Sequence, residues 1–202
     1  MSRGVFYIGV ALDDAIQTNE MILSAKKISK LWAMGSGLAL FSIIFSVPYQ
    51  ATMQSRSGRD YASYHYAIQA VSIEQSPYDV ENLDQLARQE GTRKRVHPFF
   101  YPPPAILPLL WLKPWNLATG SLLFLGFNVL CLLGSLLFMH RWLKVSWGAL
   151  FSISILLWPV IDSMKMGQIN LFVGLLMMVA IRYHSGLALS VAAMTKMSPA
   201  LL

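Results

Sequence analysis

Charge is the scarcest feature of this sequence. Only 13% of its 202 residues are Asp, Glu, Lys or Arg, against about a quarter in soluble domains. Hydrophobic residues make up 55%, and the mean hydropathy is +0.49. Together with long uncharged runs, this excludes an ordinary soluble enzyme and predicts an all-α integral membrane protein. Cysteine is nearly absent: Cys131 stands alone inside an apolar run, so no internal disulfide forms and no redox compartment can be read from it. There is no Gly-rich loop followed by Lys and Ser or Thr, and no GxSxG elbow, which removes nucleotide hydrolysis and serine hydrolysis. HExxH, CxxC and EF-hand spacings are missing as well. His65 and His97 with Asp79, Glu81 and Asp84 fit no ligand pattern, so neither metal nor cofactor is expected, and the histidines read as surface residues. No repeat and no low-complexity linker is visible.

What charge there is has a pattern. The formal net charge is +6 and the pI is near 9.6, but the cations cluster at the ends of apolar runs, where anionic headgroups attract them. The basicity therefore reads as membrane topology, and no nucleic-acid partner is expected. Residues 1–30 hold Arg3, Lys26, Lys27 and Lys30, and their one apolar run, Val5 to Leu12, is too short to cross a bilayer. They read as a cytoplasmic tail with room for a short helix. The uncharged run that follows three lysines, over 31–50, reads as a first transmembrane helix directed outwards, and no cleavage site marks it as a signal peptide.

The loop over 51–100 then falls on the outer face. Tyr61, Tyr64, Ala67, Ile68 and Val71 recur at helical spacing, with Ser63, Gln69 and Ser72 on other faces, which predicts an amphipathic helix lying flat at the interface. A turn at Ser76 and Pro77 precedes a second helix over 80–89 with Asp79 as its cap. Beyond the cationic Arg93-Lys94-Arg95, residues 101–202 supply further membrane helices in apolar runs over 101–115, 117–139, 145–161, 169–181 and 186–202. The first is proline-rich and short of the roughly 20 residues that span a bilayer, hence either re-entrant or tilted and irregular. If it does not cross, Asp162 to Asn170 share Asp60's side, and Arg141, Lys144 and Arg182 are cytoplasmic; if it crosses, these assignments reverse. The positive-inside count favours the first. The closing residues, KMSPALL, stop within an apolar pattern, which predicts a carboxy-terminal truncation and further helices beyond it.

Two readings of Asp60 stand. It opens a helix, as an N-cap does, and it is an acid at the membrane surface, suited to act as a general base on a hydroxyl. Around it, Tyr61, Tyr64, His65, Tyr101, Gln168, Asn170 and Lys196 form the candidate substrate-binding set. Lys196 is charged within an apolar run. A lysine at bilayer depth costs about 2.5–3.5 kcal/mol on insertion scales, so it points to an anionic contact such as phosphate unless it snorkels to an interface. Gln168 and Asn170 equally suit capping or bonding between helices.

The order of these features resembles glycosyltransferase family 87, the polyprenol-phosphate-mannose-dependent mannosyltransferases of the membrane-embedded C-type superfamily. The resemblance covers about residues 31–202. It lies in Asp60-Tyr61, in Tyr64, Tyr66, Ala67, Ala70 and Val71, in Pro77-Tyr78-Asp79 and in Phe100-Tyr101-Pro102-Pro103. Asn128, Gly167-Gln168-Ile169-Asn170, and Lys196 with Pro199 follow in succession. Glu74 and Gln75 stand where glycine is expected, and the amino-terminal tail is longer than the family requires. The resemblance implies a C-type helical bundle in the inner membrane with its active site on the extracytoplasmic side. It also implies Asp60 as catalytic base, a polyprenyl-phosphate hexose donor, and a glycolipid or envelope-glycan acceptor. The alternative is a non-catalytic membrane carrier of lipids or sugars.

Overall fold

The structure, a computed structural model, describes residues 3–46, 59–91 and 95–196. Among them are eight α-helices, one 3₁₀ helix and no strand. Arg93, Lys94, Gly58 and Pro199 lie outside the described residues.

The first helix, α1 (Arg3–Ser46), runs unbroken for 44 residues, about 66 Å at 1.5 Å per residue. The expected tail over 1–30 therefore has no structural boundary of its own. The first proline in the chain is Pro48, so nothing interrupts the backbone ladder between the lysines and the apolar run. The described apolar part of α1 packs on α5 (Trp147–Leu156). There Gly148 lets the Trp32 ring approach to 3.0 Å of where a Cβ would stand, and Trp32 Nε1 donates to Ser152 Oγ over 2.9 Å.

The loop helix α2 (Arg59–Ser72) departs from expectation. Instead of lying flat with one face outward, it is sheathed: residues 61–68 and Ala70 are all buried, Ser63 included, and only its ends are exposed. The 3₁₀ helix (Pro103–Leu112) brings this about by packing Ala105, Ile106, Leu109 and Leu112 into the same core as Tyr61, Tyr64 and Ile68. At 2.0 Å per residue it is about 20 Å long, less than a hydrocarbon core. Between the two lies α3 (Val80–Gln89), capped as expected by Asp79, whose side chain accepts from the Glu81 N–H at 2.9 Å.

Helix α4 (Leu117–Leu143) has 27 residues, and the Asn116 side chain caps it by accepting from the Thr119 N–H at 2.8 Å. The run expected over 145–161 is two helices, α5 and α6 (Trp158–Met166), bent by 69°. Pro159, in the first turn of α6, supplies no N–H to continue the α5 ladder. Then follow α7 (Asn170–Tyr183) and α8 (Gly186–Thr195). Among the described residues, α4 is the one helix long and apolar enough to cross a membrane, and α5 with α6 passes only if taken as a single broken span. One core surrounds α2 and includes Phe124, Ile169 and Ala192, while a second joins Leu40 of α1 to Leu132, Leu150 and Met164. Beside the first core, the residues that follow α6, open α7 and end α8 (Gln168, Asn170 and Lys196) come together at the start of α2.

Candidate active site

Asp60 sits in the first turn of α2, which begins at Arg59, so it is inside the helix and not the cap residue. Its Oδ2 accepts a hydrogen bond from Gln168 Nε2 at 2.6 Å, between residues 108 apart in sequence. Asp60 and Gln168 therefore share one end of the bundle, as required if 101–115 does not cross.

Glycine makes that meeting possible. Gly167, at φ 69° and ψ 46°, occupies the left-handed region at the end of α6, and its N–H closes on the carbonyls of Met164 and Ser163. This is the usual glycine stop of a helix. The reversed chain lets the Gln168 N–H bond to Ser163 O at 2.8 Å and turns its side chain towards α2.

The bonds beyond Gln168 fix which way round its amide lies. Lys196, at the end of α8, has only donors, and its Nζ takes Asn170 Oδ1 at 2.7 Å. The Asn170 amide is thereby oriented so that Nδ2 donates to Gln168 Oε1 at 2.6 Å and to Ser163 Oγ at 3.1 Å. Ser163 Oγ donates to the same Oε1 at 3.3 Å. With its oxygen so occupied, Gln168 has only N–H to offer Asp60. A cation at one end thus selects the donor presented to a carboxylate at the other. Asp60 Oδ1 has no partner among the described residues, and the residue is half-exposed.

Two tyrosines lie within reach of the charge of the same acid. Tyr64 donates to the Tyr101 hydroxyl at 2.6 Å with the rings nearly perpendicular, and Tyr78 donates to the Tyr101 carbonyl at 2.9 Å. Burial pushes both phenols, Tyr64 and Tyr101, above the ordinary tyrosine range, and the charge of Asp60 adds to this in each. Both remain protonated donors at neutral pH.

Of the eight candidates, the structure links Asp60, Gln168, Asn170 and Lys196 in one chain of bonds and sets Tyr64 and Tyr101 beside it. It does not bring in Tyr61 or His65. Tyr61 packs on Phe124 with its hydroxyl buried against Gly120, without a hydrogen-bond partner among the described residues. His65, expected at the surface, is 2% exposed. It meets Gln69 Nε2 at 2.8 Å and Glu90 Oε1 at 3.5 Å, and Glu90 also accepts from the Tyr66 hydroxyl. Burial lowers its pKa, with the Glu90 charge opposing. His97 is half-buried, with Nδ1 3.3 Å from the Pro98 carbonyl. Asp84 accepts from the Val96 N–H at 2.6 Å and so fastens the loop to α3. Asn128, fully buried in α4, donates to Phe124 O at 3.2 Å, and its Oδ1 has no partner among the described residues.

Sequence reasoning missed Ser163. Its signal was modest: a small hydroxyl residue between Asp162 and Lys165, in a polar interruption of two apolar runs.

The sequence model of glycosyltransferase family 87 matches residues 99–202. That stretch contains Tyr101, Asn128, Ser163, Gln168, Asn170 and Lys196 and stops short of α2, so Asp60 is tied to it by the Gln168 bond and not by the match. No curated protein and no solved structure matches the chain.

Proposed function

The chain belongs to glycosyltransferase family 87, and from that premise we propose that it transfers a hexose, mannose in our reading, from a polyprenyl-phosphate donor to a glycolipid or envelope-glycan acceptor. Glycosyl transfer between a sugar donor and an acceptor is the general activity of the family. The observation behind the finer reading is the short bond from Gln168 Nε2 to Asp60 Oδ2, which leaves Oδ1 for a hydroxyl.

In this mechanism Oδ1 takes the proton of the acceptor hydroxyl as its oxygen attacks the anomeric carbon. The bond from that carbon to the phosphate oxygen breaks, and the polyprenyl phosphate leaves with the electron pair on the opposite side. The anomeric centre inverts. Gln168 holds the carboxylate in orientation, and because Tyr64 gives its one O–H to Tyr101, the neutral Tyr101 hydroxyl is the donor left on that side. Proton removal at a positioned carboxylate supplies about 10²- to 10⁴-fold in rate.

Membrane residence is supported by the apolar side chains that α4 turns outward, with Leu122 59% and Leu130 69% exposed. Lipid matches such a surface, whereas water does not. Lys26, Lys27 and Lys30 precede the apolar half of α1, and Arg141, Lys144 and Arg182 lie at the ends of α4 and α7 away from Asp60. On the reading that the lysine cluster before the first apolar run marks the cytoplasm, those ends are cytoplasmic and the Asp60 end is extracytoplasmic.

The test uses membranes carrying the protein, supplied in parallel with a radiolabelled polyprenyl-phosphate hexose and the corresponding nucleotide sugar. Label should reach a lipid or glycan product from the first donor and not the second. Transfer from the nucleotide sugar alone would overturn the donor assignment, and reversible binding of the lipid-linked sugar without any transfer would favour a carrier.

A further inference from the structure

A second polar site lies at the other end of the bundle. Tyr64 packs on Phe124, near the start of α4, and Asn170 opens α7. The last turns of the same two helices form a groove of about 270 Å³ lined by Leu137, Phe138, Arg141, Trp142, Arg182 and Tyr183. From Phe124 to Arg141 is about 25 Å along the helix at 1.5 Å per residue, most of the thickness of a bilayer's hydrocarbon core.

Three features give the groove a ligand chemistry. Neither guanidinium has a carboxylate partner among the described residues. Two full positive charges exceed the half-negative ends of two helices, about −0.5 each, and leave close to one positive charge to be balanced. The remaining lining is aromatic and aliphatic: Phe138 meets Trp142 edge-on at 5.4 Å and Tyr183 at 6.1 Å, and the Arg182 guanidinium lies over the Tyr183 ring at 5.6 Å. Tryptophan and tyrosine beside arginine at the end of a membrane helix is the composition of the headgroup level.

We propose that this groove binds one anionic phospholipid of the leaflet opposite Asp60, with Arg141 and Arg182 on its phosphate and its acyl chains along Leu137 and Phe138. The site lies outside the transferase machinery and depends only on the chain spanning a membrane. A free phosphate would gain nothing from the apolar lining, whereas a phospholipid uses both halves.

Short-chain phosphatidylglycerol, phosphatidylcholine and inorganic phosphate are each titrated into the full chain in neutral micelles, with the thermal midpoint as readout. Only phosphatidylglycerol should raise the midpoint saturably. The double change Arg141→Gln and Arg182→Gln should weaken that effect about a hundredfold, the worth of two charge-assisted hydrogen bonds. Lys144→Gln, removing an exposed neighbour outside the groove, should weaken it less than about fivefold, as for one solvated interfacial cation. If the double variant fails to fold, Arg141→Gln alone should still weaken binding at least about tenfold. The proposal is overturned by an unchanged response in the arginine variants, by an equal loss with Lys144→Gln, or by inorganic phosphate acting as strongly as the lipid. None of these outcomes bears on sugar transfer.

Discussion

The ammonium of Lys196 donates to Asn170 Oδ1 over 2.7 Å, and this bond sets the sense of every amide between it and Asp60. Without a donor-only group there, both amides are free to turn over, and Gln168 can present its carbonyl to the carboxylate.

Lys196→Met should therefore lower kcat about 10- to 100-fold, the worth of one charged, oriented hydrogen bond, and leave KM for the donor within about threefold. Lys196→Arg, which keeps a donor-only cation, should recover most of the rate. Steady-state kinetics across donor concentration decides the point: a rise in KM with kcat unchanged would make Lys196 a direct phosphate ligand. Combined with Asp60→Asn, the Lys196→Met change should cost nothing further, because groups acting as one unit are not additive.

Gly120 has a different importance. A Cβ added there would overlap the Tyr61 hydroxyl and stand 3.1 Å from Tyr61 Cζ, and the Tyr61 side chain is fully buried. Gly120→Ala should destabilise by about 1–3 kcal/mol through overpacking, despite the better helix propensity of alanine. Tyr61→Phe in the same chain should restore much of the loss, since it removes the obstructing oxygen, which has no partner among the described residues. Thermal or denaturant unfolding of the parent, the two single variants and the double variant in micelles measures this coupling, and an additive cycle would contradict it.

His65 makes stability pH-dependent. Burial holds its folded-state pKa below the unfolded value of about 6.5, with the Glu90 charge only partly offsetting this. As the pH falls through that region the unfolded chain takes up a proton and the folded chain does not, so acid favours unfolding. The melting temperature should fall between pH 7 and pH 5.5, and the fall should be smaller in His65→Gln. Equal slopes in the two proteins would show that other groups govern the transition.

Much of this arrangement was legible in the residues. Low charge, apolar runs and cations at their ends gave an all-helical chain, and the Asp79 cap and the 80–89 helix follow from local rules alone. The burial of α2 was not legible, because its Ser63 and Gln69 read as solvent positions when only its own periodicity is considered. What covers this helix is the 3₁₀ helix more than thirty residues on, together with Phe124 of α4, a tertiary choice that no single-helix pattern encodes, while Gln69 itself stays half-buried and bonded to Glu90. The same limit applies to the site. Gln168, Asn170 and Lys196 stood out as polar groups in apolar surroundings, but Ser163, which bonds to both Gln168 and Asn170, did not, since one serine beside the charged Asp162 and Lys165 draws no notice. His65 misled for the opposite reason: imidazole on a polar loop suggests exposure, and its burial depends on Gln69 and Glu90 meeting it.

Sugar transfer by Asp60→Asn measures whether this carboxylate is the base. Asparagine keeps the shape of the side chain and can still accept from Gln168 through its oxygen, but it cannot remove a proton. With a polyprenyl-phosphate hexose, transfer should fall about 10²- to 10⁴-fold while the melting temperature stays near that of the parent, and the residual product should have the inverted anomeric configuration. Transfer by Asp60→Asn at the parent rate, or a product of retained configuration, would contradict Asp60 as the base.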